Sequence, residues 1–215
     1  MTGNLNTLLK GEIMSLDILR FTFEENFAMS KVDGIVDEIF ALYTKYGDED
    51  YIGEPVSQLE HMSQAAQLAI DSGADDEVIL AAFFHDIGHI CVQKNESNDM
   101  AGFGIVKHEK VGADFLREKG FPERVAALVE SHVIAKRYLT FKYPEYFASL
   151  SEASKKTLEL QGGKMTEAEA SAFENNPLFH LMILLRKWDE QAKATNTPII
   201  DLSILKEKAK AVLRH

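Results

Sequence analysis

The chain has 215 residues, 46% of them hydrophobic, which is enough to bury one sizeable core and short for two. Its 23 Lys and Arg stand against 34 Asp and Glu, and the net charge of -11 excludes long-range attraction to nucleic acid or to an anionic membrane surface. No stretch approaches the ~20 apolar residues of a membrane span, no basic leader precedes an apolar core at the start, and the single cysteine, Cys91, cannot close an internal disulfide. A cytoplasmic protein with one small core thiol is the expectation.

Residues 1–28 carry Leu8, Leu9, Met14, Leu16, Ile18, Leu19 and Phe21 without a clean period, and read as an N-terminal extension holding a loose helix. The core domain is expected over residues 29–215. Val32, Ile35, Val36, Ile39, Phe40 and Tyr43 recur at helical spacing, and Gly47-Asp48-Glu49-Asp50 ends that helix. Tyr51-Ile52-Gly53-Glu54-Pro55 reads as a loop. A helix over about 57–71 turns Leu59, Met62, Ala66 and Ala69 inward with His61 among them. Ser72 to Asp76 stops it and caps the next, which runs through Val78 to Ala82 into Phe83-Phe84-His85-Asp86-Ile87-Gly88-His89. A continuous helix there sets His89 one turn beyond His85 on the same face.

Polar and glycine residues over 94–104 read as a loop. His108 opens a helix that Gly120 closes, and Pro122 sits where the first turn of another begins, carrying Val125, Leu128, Val129 and His132. The pattern weakens after Tyr143-Pro144. Ser151 to Leu160 is a helix ended by Gly162-Gly163, and Thr166 with Glu169 is a capping-box signature. A helix over 178–193 is apolar at Leu181, Ile183, Leu184 and Leu185 and contains Arg186 and Asp189; a last amphipathic helix covers 202–213. With no run of period-two strands and no internal repeat, the chain reads as an all-α domain.

Six residues have the type and place of metal ligands: His61, His85, Asp86, His108, His132 and Asp189. Adjacent His85 and Asp86 let one carboxylate bridge two cations while the imidazole ligates one of them. A lone histidine on an apolar face is usually a satisfied core residue. Here five of the seven histidines, counting His89, follow one pattern, which chance explains poorly, while His180 and His215 fall outside it. Helical spacing also pairs His132 with Lys136, Arg186 with Asp189, and Ser154 with Thr157, so that anion-binding types share faces with ligand types.

The order of a histidine, a His-Asp pair and a distant aspartate resembles the HD-domain superfamily of metal-dependent enzymes, and His108 and His132 resemble the extra ligands of its dinuclear branches. That resemblance implies a helical bundle with a dinuclear metal site in its core. It narrows over residues 30–195. Tyr51-Ile52-Gly53-Glu54, Gln58-Leu59-Glu60-His61, His108 to Asp114, Ala135-Lys136-Arg137-Tyr138-Leu139 and Arg186-Lys187-Trp188-Asp189-Glu190 resemble the mixed-valent diiron oxygenases that act on 2-amino-1-hydroxyethylphosphonate. The likeness implies two iron ions held by the six ligands, with Asp86 bridging. It implies that Tyr51 occupies an iron position until substrate displaces it, and that Glu54 helps drive the exchange and meets the substrate's amino end. His89, Lys136, Ser154, Thr157 and Arg186 match the residues that hold the phosphonate oxygens, and their types suit an oxyanion on chemical grounds alone.

The implied partners are a hydroxyphosphonate and dioxygen, and the implied products are phosphate with glycine, or with glycine betaine from the N-trimethylated substrate. Histidine and carboxylate ligands also accept zinc or manganese. The ligands by themselves equally suit a dinuclear phosphohydrolase or phosphodiesterase, or a silent metal-binding sensor domain. Tyr51 discriminates, since a displaceable tyrosine protects an oxygen-reactive iron and has no evident use in hydrolysis.

Overall fold

A computed structural model describes residues 28–51 and 53–214. Residues 1–27, which hold nearly all of the expected extension, and His215 lie outside the described residues. The helices are α1 (28–46), α2 (Gln58–Asp71), α3 (Asp76–Phe84), α4 (His108–Glu118), α5 (Glu123–Lys142), α6 (Pro144–Ser149), α7 (Glu152–Leu160), α8 (Glu167–Glu174), α9 (Phe179–Gln191) and α10 (Leu202–Leu213). Among the described residues there is no strand, only isolated bridges between Asp50 and Ser57 and between Asp99 and Ile105. None of their helices is long and apolar enough to cross a membrane.

α3 is the centre. Val78 through Phe84 are all buried, because a helix apolar on every side must be covered on every side. α2, α5, α9 and α10 pack around it. Phe83 stacks on Tyr43 and Phe40 of α1, with ring centroids 4.5 and 5.7 Å apart. Asp75 caps α3 by accepting the Val78 N–H at 3.1 Å. The expected Thr166–Glu169 capping box forms at the start of α8, and Ser57 with Glu60 makes a second one at the start of α2.

The expected single helix through the His-Asp motif does not form. α3 ends at Phe84, His85 is its cap, and Ile87–His89 make a 3-10 turn. The cause is tertiary. A Cβ on Gly88 would fall 2.0 Å from the His108 carbonyl oxygen and 2.9 Å from the Gly112 nitrogen, so the two glycines let α4 lie directly against the turn. His89 is therefore swung away from His85 and stacks on His108, with centroids 4.0 Å apart.

Three other features depart from the sequence reading. α6 forms where the pattern had weakened, with Pro144 in its first turn and no buried residue to mark it. The 94–104 loop buries Met100 and leads into buried Ile105. The inner face of α9 is Met182, Leu185, Arg186, Trp188 and Asp189, while Leu181, Ile183 and Leu184 are only half-buried, so the helix turns a charged pair inward. Gly53, at φ +81°, sits where a Cβ would come within 2.6 Å of the Ala153 Cβ, so its backbone lies directly against α7.

Candidate active site

The six predicted ligands converge at the end of α3. His61 comes from α2, His85 and Asp86 from the break after α3, His108 from the first turn of α4, His132 from α5 and Asp189 from α9; none is more than 5% exposed. The Nδ1 atoms of His61, His85 and His132 each lie 2.8 Å from a backbone carbonyl, of Ala192, Ala82 and Val129 respectively. A carbonyl only accepts, so each Nδ1 carries a proton and each ring turns inward its Nε2, the atom that offers a lone pair to a cation.

Those lone pairs meet head on. His61 Nε2 lies 3.0 Å from His85 Nε2, and His108 Nε2 lies 2.9 Å from His132 Nε2. Asp86 stands between the pairs. Its Oδ2 is 3.4 Å from His85 Nε2 and 3.7 Å from His61 Nε2, while its Oδ1 is 3.3 Å from both His108 and His132 Nε2. Asp189 Oδ1 adds a further acceptor, 3.4 Å from His61 Nε2, and it is buried with no hydrogen-bond partner. Its other oxygen accepts from Arg186, which fixes the carboxylate's direction.

The electrostatics ask for positive charge here. Burial works against a charge on His85, yet Asp86 and Asp189 hold its pKa up at about 9; at His132 burial dominates and the pKa falls to about 3. Burial pushes both carboxylates up, but Arg186 and His85 beside Asp189, and His85 and His108 beside Asp86, keep each well below the usual carboxylate range. Facing lone pairs, an orphaned carboxylate oxygen and a carboxylate shared between two imidazole pairs fit two cations, the first among His61, His85, Asp86 and Asp189, the second among Asp86, His108 and His132.

His89 also stands within 4.8 Å of Asp86 and His108. Its Nδ1 accepts the Ile105 N–H at 3.1 Å, so its proton sits on Nε2 and that atom is a donor, not a ligand. Burial keeps this ring neutral.

A cavity of about 260 Å³ opens onto the cluster, lined among others by Tyr51, Glu54, His89, Lys136, Ser154, Thr157 and Arg186. All seven non-ligand residues singled out in the sequence thus share one space. Tyr51 stacks on His61 at 3.9 Å, and burial, with the charges of Asp86 and Asp189, holds its phenol protonated. Lys136 Nζ donates to Thr157 Oγ1 at 3.0 Å, and Thr157 itself donates to the Ser154 carbonyl at 3.1 Å, so Thr157 holds the lysine in place. Arg186 spends three donors on Asp189, Glu190 and the Tyr146 hydroxyl, leaving two of its five N–H groups.

Four residues escaped the sequence reading: Tyr146, Ser151, Glu190 and Lys193. Glu190 lies four positions after Arg186 and Lys193 four after Asp189, so helical spacing carried a signal for both. Tyr146, on the unmarked α6, and Ser151, read only as a helix start, carried none.

A family model for the HD domain matches residues 58–170, the stretch that contains His61, His85, Asp86, His108 and His132. This chain belongs to the HD-domain family. Two of its relatives are phosphonate dioxygenases. The hydroxymethylphosphonate dioxygenase of Gimesia maris is 40% identical over 189 residues, 87% of this chain and 93% of its own length. The (1-hydroxy-2-(trimethylamino)ethyl)phosphonate dioxygenase, glycine-betaine-forming, of Leisingera caerulea is 42% identical over 167 residues, 74% and 80% of the two chains. An uncharacterised protein of Acanthamoeba polyphaga mimivirus is 45% identical over 174 residues, 81% and 80%. With such relatives, this HD domain is an oxidoreductase of the dioxygenase class, built around a buried His/Asp cluster that could hold metal.

Proposed function

We propose that the protein is an iron-dependent dioxygenase that cleaves the carbon–phosphorus bond of an α-hydroxyphosphonate and releases phosphate. One observation carries this reading: a doubly faced ligand set and three groups suited to an oxyanion, Lys136, Arg186 and His89, share a single cavity. His61, His85, Asp86 and Asp189 would hold one iron and Asp86, His108 and His132 the other, with Asp86 shared between them. The bound pair, in its mixed-valent Fe2+/Fe3+ state, supplies the electron transfer between substrate and dioxygen.

The chain's own residues bind, orient and shield. Lys136, Arg186 and the His89 Nε2–H engage the phosphonate oxygens, with Ser154 adding a hydroxyl and Thr157 seating the lysine. Tyr51, stacked on His61, would cover a metal position until substrate displaced its phenol, so that oxygen chemistry would wait for substrate. Glu54 lines the same cavity. The reaction balances without an outside reductant: one α-hydroxyphosphonate and one dioxygen give one carboxylic acid and one phosphate. The acid is glycine from the 2-amino-1-hydroxyethyl substrate, glycine betaine from its N-trimethylated form and formate from hydroxymethylphosphonate. The lone cysteine and the absence of a membrane-crossing helix among the described residues suit work in the cytoplasm.

The rival is a dinuclear phosphohydrolase, which the same anion-binding groups would serve. Iron-loaded protein given each hydroxyphosphonate and a phosphate ester, under argon and under air, separates the two. Phosphate is expected from a hydroxyphosphonate in air alone. Ester cleavage under argon, with hydroxyphosphonates untouched in air, would overturn the proposal.

A further inference from the structure

Glu54, expected to meet a substrate ammonium, already has a cation. Its Oε1 lies 3.0 Å from Lys193 Nζ and accepts the Ser151 hydroxyl at 2.6 Å. Ser151 is itself fixed, because its Oγ caps α7 by accepting the Ser154 N–H at 3.1 Å. Lys193 Nζ also lies 2.9 Å from Glu190 Oε1 and 3.3 Å from Ser154 Oγ, a hydroxyl that lines the cavity. Glu190's second oxygen takes Arg186, and Arg186 takes Asp189. A ladder of alternating charge, Asp189, Arg186, Glu190, Lys193, Glu54, thus runs from a candidate ligand to a second residue that lines the cavity.

Resting on the dioxygenase reading above, we infer that Lys193 is a specificity-determining residue that satisfies Glu54 from within the protein and sets the cavity for an α-hydroxyphosphonate without an ammonium group, of which hydroxymethylphosphonate is the smallest. The Lys193 and Glu54 side chains are 15% and 9% exposed, so water screens the pair poorly. A ligand ammonium at Glu54 must either crowd a second cation onto one carboxylate or evict Lys193 and leave Glu190 short of its partner. A ligand with only hydrogen at that end leaves every rung intact. The burial of Lys193 is offset by Glu190 and Glu54, which keep it charged.

The test is anaerobic calorimetry on the metal-loaded protein, where turnover does not intervene, with hydroxymethylphosphonate, 2-amino-1-hydroxyethylphosphonate and its N-trimethylated analogue. The wild type is expected to bind hydroxymethylphosphonate about tenfold or more tightly than either cationic ligand, a span of about 1.4 kcal/mol. Lys193→Met, which frees Glu54, is expected to shift that ratio about tenfold or more toward the cationic ligands, and Lys193→Arg, which keeps the charge, to preserve it. Comparing ratios within each variant cancels differences in ligand size and in the folded fraction. Binding of all three with a ratio that Lys193→Met leaves unchanged, or a wild type that favours the ammonium, overturns the role of Lys193 alone. Binding of none overturns the phosphonate reading and this inference with it.

Discussion

Burying an ammonium makes its proton easy to lose. Lys136 is 4% exposed, and that burial, with Arg186 nearby, brings its pKa from 10.5 down to about 7. The lysine is a cation below about 7 and neutral above it, while a bound oxyanion favours the cation. Above that pH, then, ligand binding must draw a proton onto Lys136. Between about pH 7.5 and 9, phosphonate binding is expected to take up close to one proton more in the wild type than in Lys136→Arg, whose guanidinium stays charged throughout. Calorimetry in buffers of different ionisation enthalpy reads this directly, and the ligand's own ionisation is common to both variants. Equal uptake in the two would remove Lys136 from the anion site.

At the same scale, side-chain type and spacing made the His/Asp set readable, since each member sits on or beside a predicted helix. The pairing of Glu54 with Lys193 was not readable, because it joins a loop to the end of α9 across most of the chain. Cys91 sits half-buried against the core with its thiol pushed up to about 11, in keeping with an inert packing residue.

Among the elements, the contact of the 3-10 turn with α4 decides whether the second half of the ligand set assembles. Gly88 and Gly112 allow it, and His108 and His89 are both delivered by it. Gly88→Ala forces the His108 carbonyl away from a contact that would measure 2.0 Å, moving the start of α4 while α2, α3 and α9 keep their places. The expected outcome is metal content falling from two equivalents toward one, with a stability loss of about 1–3 kcal/mol in denaturant unfolding. A Gly88→Ala protein that still holds two metals would show that the close approach is dispensable.

This contact was also where sequence reading failed. Apolar runs and caps place α2, α10 and the starts of α3 and α5 within a residue or two, because those boundaries are set by local pattern. The break after Phe84 is set by a neighbour more than twenty positions on, which periodicity cannot sense. α6 was missed for the opposite reason: it buries nothing, so no stripe betrays it.

The whole molecule is anionic, while its cavity holds the donors an oxyanion needs, the Arg186 guanidinium, Lys136 and the neutral His89. Its charge of -11 disfavours a phosphonate at long range, so capture depends on Lys136, Arg186 and His89 acting at short range where burial limits screening. Segments from five parts of the chain, on α2, the turn after α3, α4, α5 and α9, must be in place before the facing imidazoles meet, so the fold and the proposed metal pair depend on each other.

In the proposed reaction the site spends one dioxygen to break one carbon–phosphorus bond. The measurement that addresses it most directly is the ratio of oxygen consumed to phosphate released by the iron-loaded protein on hydroxymethylphosphonate, with no reductant added. A ratio of one is expected, with one formate for each phosphate. Phosphate released without oxygen uptake, or only in step with an added reductant, would contradict it.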